Sequence, residues 1–441
     1  MTDNSQRSRL LYKNVIASVF IKGYAAIISL LLVPLTLNCL GELRNGVWLT
    51  ISSILVWIDM MDIGLGNGLR NKLAIHIAHQ EIHEARKVIS STIAMLACIV
   101  FPILILLLLL VENADVYSFL NVNPEEIPEL RLAVIVAIVL VCMTFVLKFI
   151  GNFYMGMQLP AVSNLLISLG QTIVLIATWI LYINGNATFL TIVIANTASP
   201  LLIYCIAYAY SFYCRFPKLR PALRLVSFSS VLELGNLGVK FFWIQIASVI
   251  QFMTTNLLIS RFYTPAMVTP YQIAYRYISL TMVVFTIFCM PFWNATTDAY
   301  ERKDFEWIRK ANQKMNWMTI GIAGLLVLMI IASPWVYQIW IGEACHIPLG
   351  MTMMVALYQF LLIISMRYAY FLNGVGALRL QLYMTFMTII FIPSVYMACT
   401  LSNNILWLLA VMCICVFPSF LVNKIQFHKI LNGKATGIWR K

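Results

Sequence analysis

The chain has 441 residues, of which 61% are hydrophobic and only 11% charged, where an ordinary soluble domain carries about 25% charged residues. A soluble fold of this length cannot keep so much apolar surface from water, which excludes one large water-soluble core. The formal charge of +13 invites a nucleic-acid reading, but the cations sit in short connectors between apolar runs and form no basic face interleaved with aromatics, so no nucleic-acid partner is expected.

A bilayer core of about 30 Å asks for about 20 apolar residues per helix, and the chain holds about twelve such runs. The first, 14–37, follows Arg7, Arg9 and Lys13. It is too long for a secretory signal and lacks a small-residue cleavage site, so it reads as a membrane helix, with Ser18, Lys22 and Ser29 on one face. The second, 46–68, carries Asp59 and Asp62 and runs into MDIGLGNGLRNKLA at 61–74. Counted from the flanking cations Lys13 and Arg70, Lys22 and Asp59 lie at similar depth, which predicts an ion pair. Gly64, Gly66 and Gly68 form GxGxG, not GxGxxG, and no strand precedes them, so the dinucleotide reading fails. They are expected to end the second helix near the cytoplasmic interface, either as a plain flexible terminus or as a gate or hinge, with Arg70 and Lys72 anchoring it at the surface.

The connector 69–87 spaces His76, His79 and His83 at i, i+3 and i+7, one face of a helix beside Glu81 and Glu84. A solvated amphipathic connector is the better reading, and no metal site is expected. After the third run, 88–111, comes an acidic connector with Glu112, Asp115, Glu125, Glu126 and Glu129 but no nucleophile or metal spacing. The fourth run, 131–154, carries Thr144, Lys148 and Asn152 on one face. The fifth and sixth, 160–183 and 188–213, lead to a basic connector with Arg215, Lys218, Arg220 and Arg224. This connector is the natural bridge between halves, giving an N-terminal bundle at 1–213, a cytoplasmic linker at 214–230, and a C-terminal bundle with a basic tail at 231–441.

The seventh run, 231–259, places Glu233, Asn236, Lys240 and Trp243 on one helical face, and the eighth, 270–297, does so with Gln272, Arg276 and Ser279. Runs at 316–340, 349–372, 379–400 and 405–427 complete the layout, with Arg367 in the tenth. Sorting Lys and Arg by side leaves 22 on one and only Arg44, Arg131 and Arg261 on the other, which predicts that both termini are cytoplasmic. Five cations remain inside the runs: Lys22, Lys148, Lys240, Arg276 and Arg367. Lys22 and Lys240 are 218 residues apart, and Lys148 and Arg367 are 219 apart, as a six-plus-six repeat requires. Each costs about 2.5–3.5 kcal/mol in mid-membrane, so the five call for a water-filled cavity, a partner or a ligand. Snorkelling to the interface is the alternative for Lys148 and Arg367. The cysteines lie mostly in apolar runs and read as small buried hydrophobes.

Three stretches carry a resemblance. DIGLGNGLRNKLA at 62–74, VKFFWIQIASVIQFMTTNLLIS at 239–260 and FLNGVGALRLQ at 371–381 resemble segments of bacterial O-antigen and capsule flippases, the polysaccharide transport family of the multidrug/oligosaccharidyl-lipid/polysaccharide exporter superfamily. The resemblance implies an all-α polytopic membrane protein with two six-helix bundles around a central cavity. It also implies outward movement of a polyprenyl-diphosphate-linked oligosaccharide across the inner membrane.

On that reading Lys22, Lys148, Lys240, Arg276 and Arg367 hold the diphosphate, and Trp57, Trp243 and Trp293 face the sugars. Asp59, Asp62 and Glu233 are the candidates for coupling. No cofactor is expected, and a coupling proton or sodium ion is not required. About two negative charges moving outward across 100 mV supply about 4.6 kcal/mol. Expected partners are the lipid-linked oligosaccharide, membrane lipid and polysaccharide assembly proteins. Two alternatives compete: a cation-coupled multidrug exporter, which would want acidic cavity residues, and an enzyme acting on polyprenyl-linked sugars, which would want a larger external loop than 112–130.

Overall fold

Hydrocarbon offers backbone groups no hydrogen-bond partners, so a chain of this composition must bond them within helices. The computed structural model describes residues 2–62, 65–227, 254–375, 377, 379–385 and 387–440, and no strand occurs among them. The chain divides into two units, Met1–Val249 and Ile250–Lys441.

In the first unit α1 (Thr2–Asp59) is interrupted at Gly41, where φ is 70° and ψ 176°. That backbone region is essentially reserved for glycine, and the interruption separates the first two expected spans. A 3-10 turn, Met60–Asp62, precedes α2 (Leu65–Ala78). There follow α3 (Ile82–Asn113), the short α4 (Val116–Leu120), α5 (Leu130–Leu147), α6 (Phe149–Gly156), α7 (Pro160–Ile183) and α8 (Phe189–Ala209). The boundaries have local causes: Asp115 accepts the amides of Tyr117 and Ser118 to start α4, Pro160 opens α7, and Thr188 and Thr191 form a capping box for α8.

One sequence expectation changes here. The single helix expected over 46–68 stops at Asp59 and a new helix begins at Leu65, so Gly66 and Gly68 lie in the first turn of α2 and do not end the second span. The span expected over 131–154 runs as one stretch, Leu130–Gly156, with a local irregularity between α5 and α6 at Lys148, whose backbone stays right-handed helical.

Apolar transfer does not drive helices together in lipid, so close packing must. Ala133 and Ala137 of α5 are fully buried, as are Phe189, Ile192 and Val193 of its neighbour α8. A Cβ on Gly170 of α7 would stand 3.5 Å from Cα of Pro200 on α8. The outward surface is apolar instead, with Phe101, Leu106, Leu109 and Trp179 more than half exposed, as a lipid-facing surface requires. At one end of this unit Arg44 donates to the Glu126 carbonyl at 3.0 Å and Arg131 pairs with Glu112 at 3.3 Å. At the other, Ser90 and Ser91 accept the amides of Ala222 and Ser227, each at 3.0 Å, and Arg86 donates to the Arg220 carbonyl. The segment 220–227 is thereby strapped to the start of α3.

The second unit contains a helical stretch at 254–262, then α9 (Pro265–Glu301), α10 (Phe305–Ile341), α11 (Leu349–Val375), α12 (Arg379–Thr385), α13 (Met387–Leu401) and α14 (Ile405–Leu431). Helix α11 packs against both α9 and α14 through buried Met351, Val355, Ile363 and Phe371. Helix α10 begins about three turns before the expected 316, because the Asp304 carboxylate accepts the Trp307 amide at 3.0 Å and caps it there. After α14 the chain folds back, and Gln426 donates to the Trp439 carbonyl at 3.3 Å.

Among the described residues eight helices are long and apolar enough to cross a membrane, the first being the stretch Gly23–Ile58 that Gly41 interrupts. Helix α9 covers the expected run at 270–297, and α12 with α13 covers 379–400. The run at 231–259 lies almost wholly outside the described residues. The chain is an all-α, multi-pass membrane protein.

Candidate functional site

The polar interior of the second unit centres on Arg367 of α11, which is only 5% exposed. Its Nη2 donates to Oδ1 of Asn312 at 2.8 Å and to the Tyr368 hydroxyl at 3.1 Å, and its Nη1 makes a longer contact of 3.5 Å with Oγ1 of Thr319. The guanidinium also lies over the Tyr368 ring, 4.5 Å from its centroid. Nε is buried with no hydrogen-bond partner among the described residues. Among the described residues no carboxylate pairs with this arginine, and no Asp or Glu follows Glu343 in the chain. Arg367 therefore does not snorkel. It is a buried cation held by neutral groups, an arrangement that favours an incoming anion over water.

A second polar layer surrounds Arg276 of α9. Gln272, one turn earlier, donates to Oδ1 of Asn256 at 2.6 Å, and Ser279 bonds back to the Arg276 carbonyl. Tyr275 is hydrogen-bonded to Gln359 of α11, and the Tyr271 and Tyr275 rings lie 6.0 Å apart. Among the described residues the Tyr358 hydroxyl, Oε1 of Gln359 and Oγ1 of Thr254 are buried without a partner. Each such group costs about 1–3 kcal/mol until a ligand hydroxyl or water meets it. The face predicted for Gln272, Arg276 and Ser279 is thus extended by Tyr271, Tyr275, Tyr358, Gln359 and Asn256.

In the first unit Lys148 is half-buried at the junction of α5 and α6, where the Gly151 amide bonds back to its carbonyl at 3.0 Å. The expected partner on its face, Asn152, instead packs on α2. A Cβ on Gly66 would stand 2.1 Å from Nδ2 of Asn152 and 3.0 Å from Oδ2 of Asp62. Asp62 in turn lies 3.4 Å from the Gly66 amide, whose hydrogen bond it accepts. Gly66 is one point where α2 and α6 touch, and its missing side chain makes that contact possible; Gly156 of α6 against Leu73 of α2 is another.

Other expectations fall as follows. Gly64, Glu233, Lys240 and Trp243 lie outside the described residues, as do the side chains of Lys22, Asp59 and Trp293, so the Lys22–Asp59 pair does too. Trp57 is half-buried, its Nε1 without a partner. The three histidines do not share a helical face. Helix α2 ends at Ala78, Gln80 adopts φ 59°, and α3 begins at Ile82. His76 meets Glu81 at 2.7 Å and His83 meets Glu84 at 3.4 Å. In the acidic connector, Asp115 caps a helix and Glu112 pairs with Arg131. All ten cysteines are free.

Asn312 and Thr319, missed from the sequence, lie seven residues apart on one face of α10. The signal for them was Asp304, whose capping role extends the helix back far enough to include Asn312.

A family model described as polysaccharide biosynthesis protein matches residues 11–292. A Yersinia pseudotuberculosis protein named for O-antigen export is 23% identical over 388 residues, 82% of each chain. An inward-facing multidrug resistance MATE family transporter of the MOP superfamily superposes with a TM-score of 0.78 at 15% identity, over 96% of this chain and 100% of that one. An outward-facing structure of such a transporter gives 0.65 at 14% identity, over 96% of each. A MOP superfamily transporter from Pyrococcus furiosus Vc1, described as having a binding pocket of reverse polarity, gives 0.64 at 14% identity, again over 96% of each. At such identities the likeness to solved structures is one of fold.

Proposed function

The chain belongs to the polysaccharide biosynthesis protein family, and from that membership we propose that it is a flippase, moving a polyprenyl-diphosphate-linked oligosaccharide from the cytoplasmic to the periplasmic face of the bacterial inner membrane by alternating access. The observation that carries this reading is Arg367, a guanidinium 5% exposed and, among the described residues, without a carboxylate partner. A diphosphate supplies the missing charge, and charge-assisted hydrogen bonds to it are about twice as strong as neutral ones.

Arg276 and Arg367, with Lys22, Lys148 and Lys240, receive the diphosphate. The unpartnered hydroxyl of Tyr358 and amide oxygen of Gln359, with Gln272 and Trp243, meet sugar hydroxyls and ring faces. Asp59, Asp62 and Glu233 are the candidates for coupling to a proton or sodium ion, and the glycines Gly64, Gly66 and Gly68 for gating. Both termini are assigned to the cytoplasm.

A cation-selective multidrug exporter fits less well, because the acid-free sequence after Glu343 offers α11 and α14 no anionic group for a cationic drug. An enzyme fits less well because the acidic connector spends Asp115 and Glu112 on a cap and an ion pair. The test is translocation of a fluorescent diphosphate-linked oligosaccharide in proteoliposomes, comparing the parent with Lys22→Ala, Lys240→Ala, Arg276→Ala and Arg367→Met at matched insertion. Loss of transport in folded variants supports the reading, and normal transport by all four overturns it.

A further inference from the structure

Helix α14 is 27 residues long, about 40 Å at 1.5 Å per residue, and therefore exceeds a hydrocarbon core of about 30 Å. Lys424 stands 19 residues beyond Ile405, about 29 Å along the helix, which sets it at the boundary between hydrocarbon and headgroups. A cavity of about 380 Å³ opens there, lined by Lys424, His428, Lys429 and Lys434 with Leu421 and Ile425. Leu421, Lys424, Ile425 and His428 share a helical face, and the two apolar side chains are 41% and 45% exposed. Asn432 and Lys434, where the chain turns back after α14, complete the lining, and Nζ of Lys429 lies 3.9 Å from the centroid of the Trp439 ring.

Lysines at a helix C-terminus often serve only to balance its dipole. Here the last-turn carbonyls are already engaged. His428, Lys429 and Ile430 accept the amides of Asn432, Lys434 and Gly433, and the Leu431 carbonyl receives Arg309 at 3.5 Å. Two lysines of other basic connectors are paired with acid, Lys310 with Glu306 at 2.7 Å and Lys87 with Glu84 at 3.5 Å. Among the described residues Lys424, Lys429 and Lys434 have no such pair, and the sequence beyond Glu343 holds no acid.

We propose that this cavity binds the phosphate headgroup of an anionic phospholipid from the surrounding bilayer. The lysines take the phosphate, and the exposed Leu421 and Ile425 take the start of the acyl chains. A soluble phosphate would satisfy the charges but leave that apolar floor against water. The proposal rests on membrane insertion and charge alone and is independent of the transported substrate.

The test uses the full chain in phosphatidylcholine nanodiscs titrated with phosphatidylglycerol, with retained lipid read by native mass spectrometry. The parent is expected to prefer phosphatidylglycerol by about 100-fold, since each of the three lysines near a headgroup contributes about a fivefold factor. Lys424→Gln with Lys434→Gln should lower that preference about 25-fold by the same factors, while Lys424→Arg with Lys434→Arg, and Lys87→Gln at a lysine already paired with Glu84, keep it. Melting in pure phosphatidylcholine checks that each variant is folded. Equal retention of the two lipids by the parent, an unchanged preference in the glutamine pair, or displacement of the lipid by millimolar inorganic phosphate overturns the proposal, the last marking a soluble-phosphate site.

Discussion

Replacing Arg367 by methionine separates a ligand-binding cation from a structural one. The substitution removes hydrogen bonds to Asn312 at 2.8 Å and Tyr368 at 3.1 Å, worth about 1.5–3 kcal/mol each for a charged donor. Against this loss of about 3–6 kcal/mol stand two returns. A charge leaves the membrane interior, worth about 2.5–3.5 kcal/mol, and the unpartnered Nε no longer costs its about 1–3 kcal/mol. The two ranges nearly cancel at their midpoints and leave a balance within about 3.5 kcal/mol of zero, so Arg367→Met should melt within several degrees of the parent in detergent. Transport in proteoliposomes should fall at least about tenfold, the equivalent of one lost interaction of about 1.4 kcal/mol with the diphosphate. Arg367→Lys keeps the charge but not the planar fork and should be intermediate. A large drop in melting temperature with transport lost in proportion would make Arg367 structural, and undiminished transport would remove it from the binding site.

Three further outcomes follow from the geometry. Gly41→Ala, at φ 70° with nothing within 4 Å of the new Cβ, should cost about 1–3 kcal/mol through backbone strain alone, read as a lower melting temperature. Gly66→Ala forces Asn152 off α2 and should lower both stability and transport, whereas Gly66→Ala with Asn152→Ala should recover about 1–2 kcal/mol of that loss in a double-mutant cycle. Simple additivity would show that the contact carries no strain. Tyr358→Phe removes a buried hydroxyl without a partner and should leave stability unchanged or slightly raised. A rise in the apparent KM for the glycan substrate would mark that hydroxyl as a sugar contact.

The helix Pro160–Ile183 coincides with the run read from hydropathy, and the ends joined by Arg44 and Glu126 or by Arg86 and Arg220 are those that the connectors assign to opposite sides. Other features were not legible. The close contact at Gly66 depends on α2 and α6 meeting, which no local pattern encodes. The histidine spacing at 76, 79 and 83 suits one helix face, but the left-handed turn at Gln80 intervenes. Asn312 was hidden because a helix start governed by the Asp304 cap was read from apolarity instead.

What the sequence by itself determined is the membrane character of the chain and where most of its spans run, because the free energy of entering hydrocarbon accumulates residue by residue along a segment. It also singled out Arg276 and Arg367 as cations within those spans. Only the tertiary structure decided that Arg367 is buried against Asn312, Tyr368 and Thr319 without a carboxylate, and that the fold-back after α14 helps wall a basic cavity. Whether a charge is balanced depends on what distant helices bring to it, and that information lies in packing rather than in any one segment.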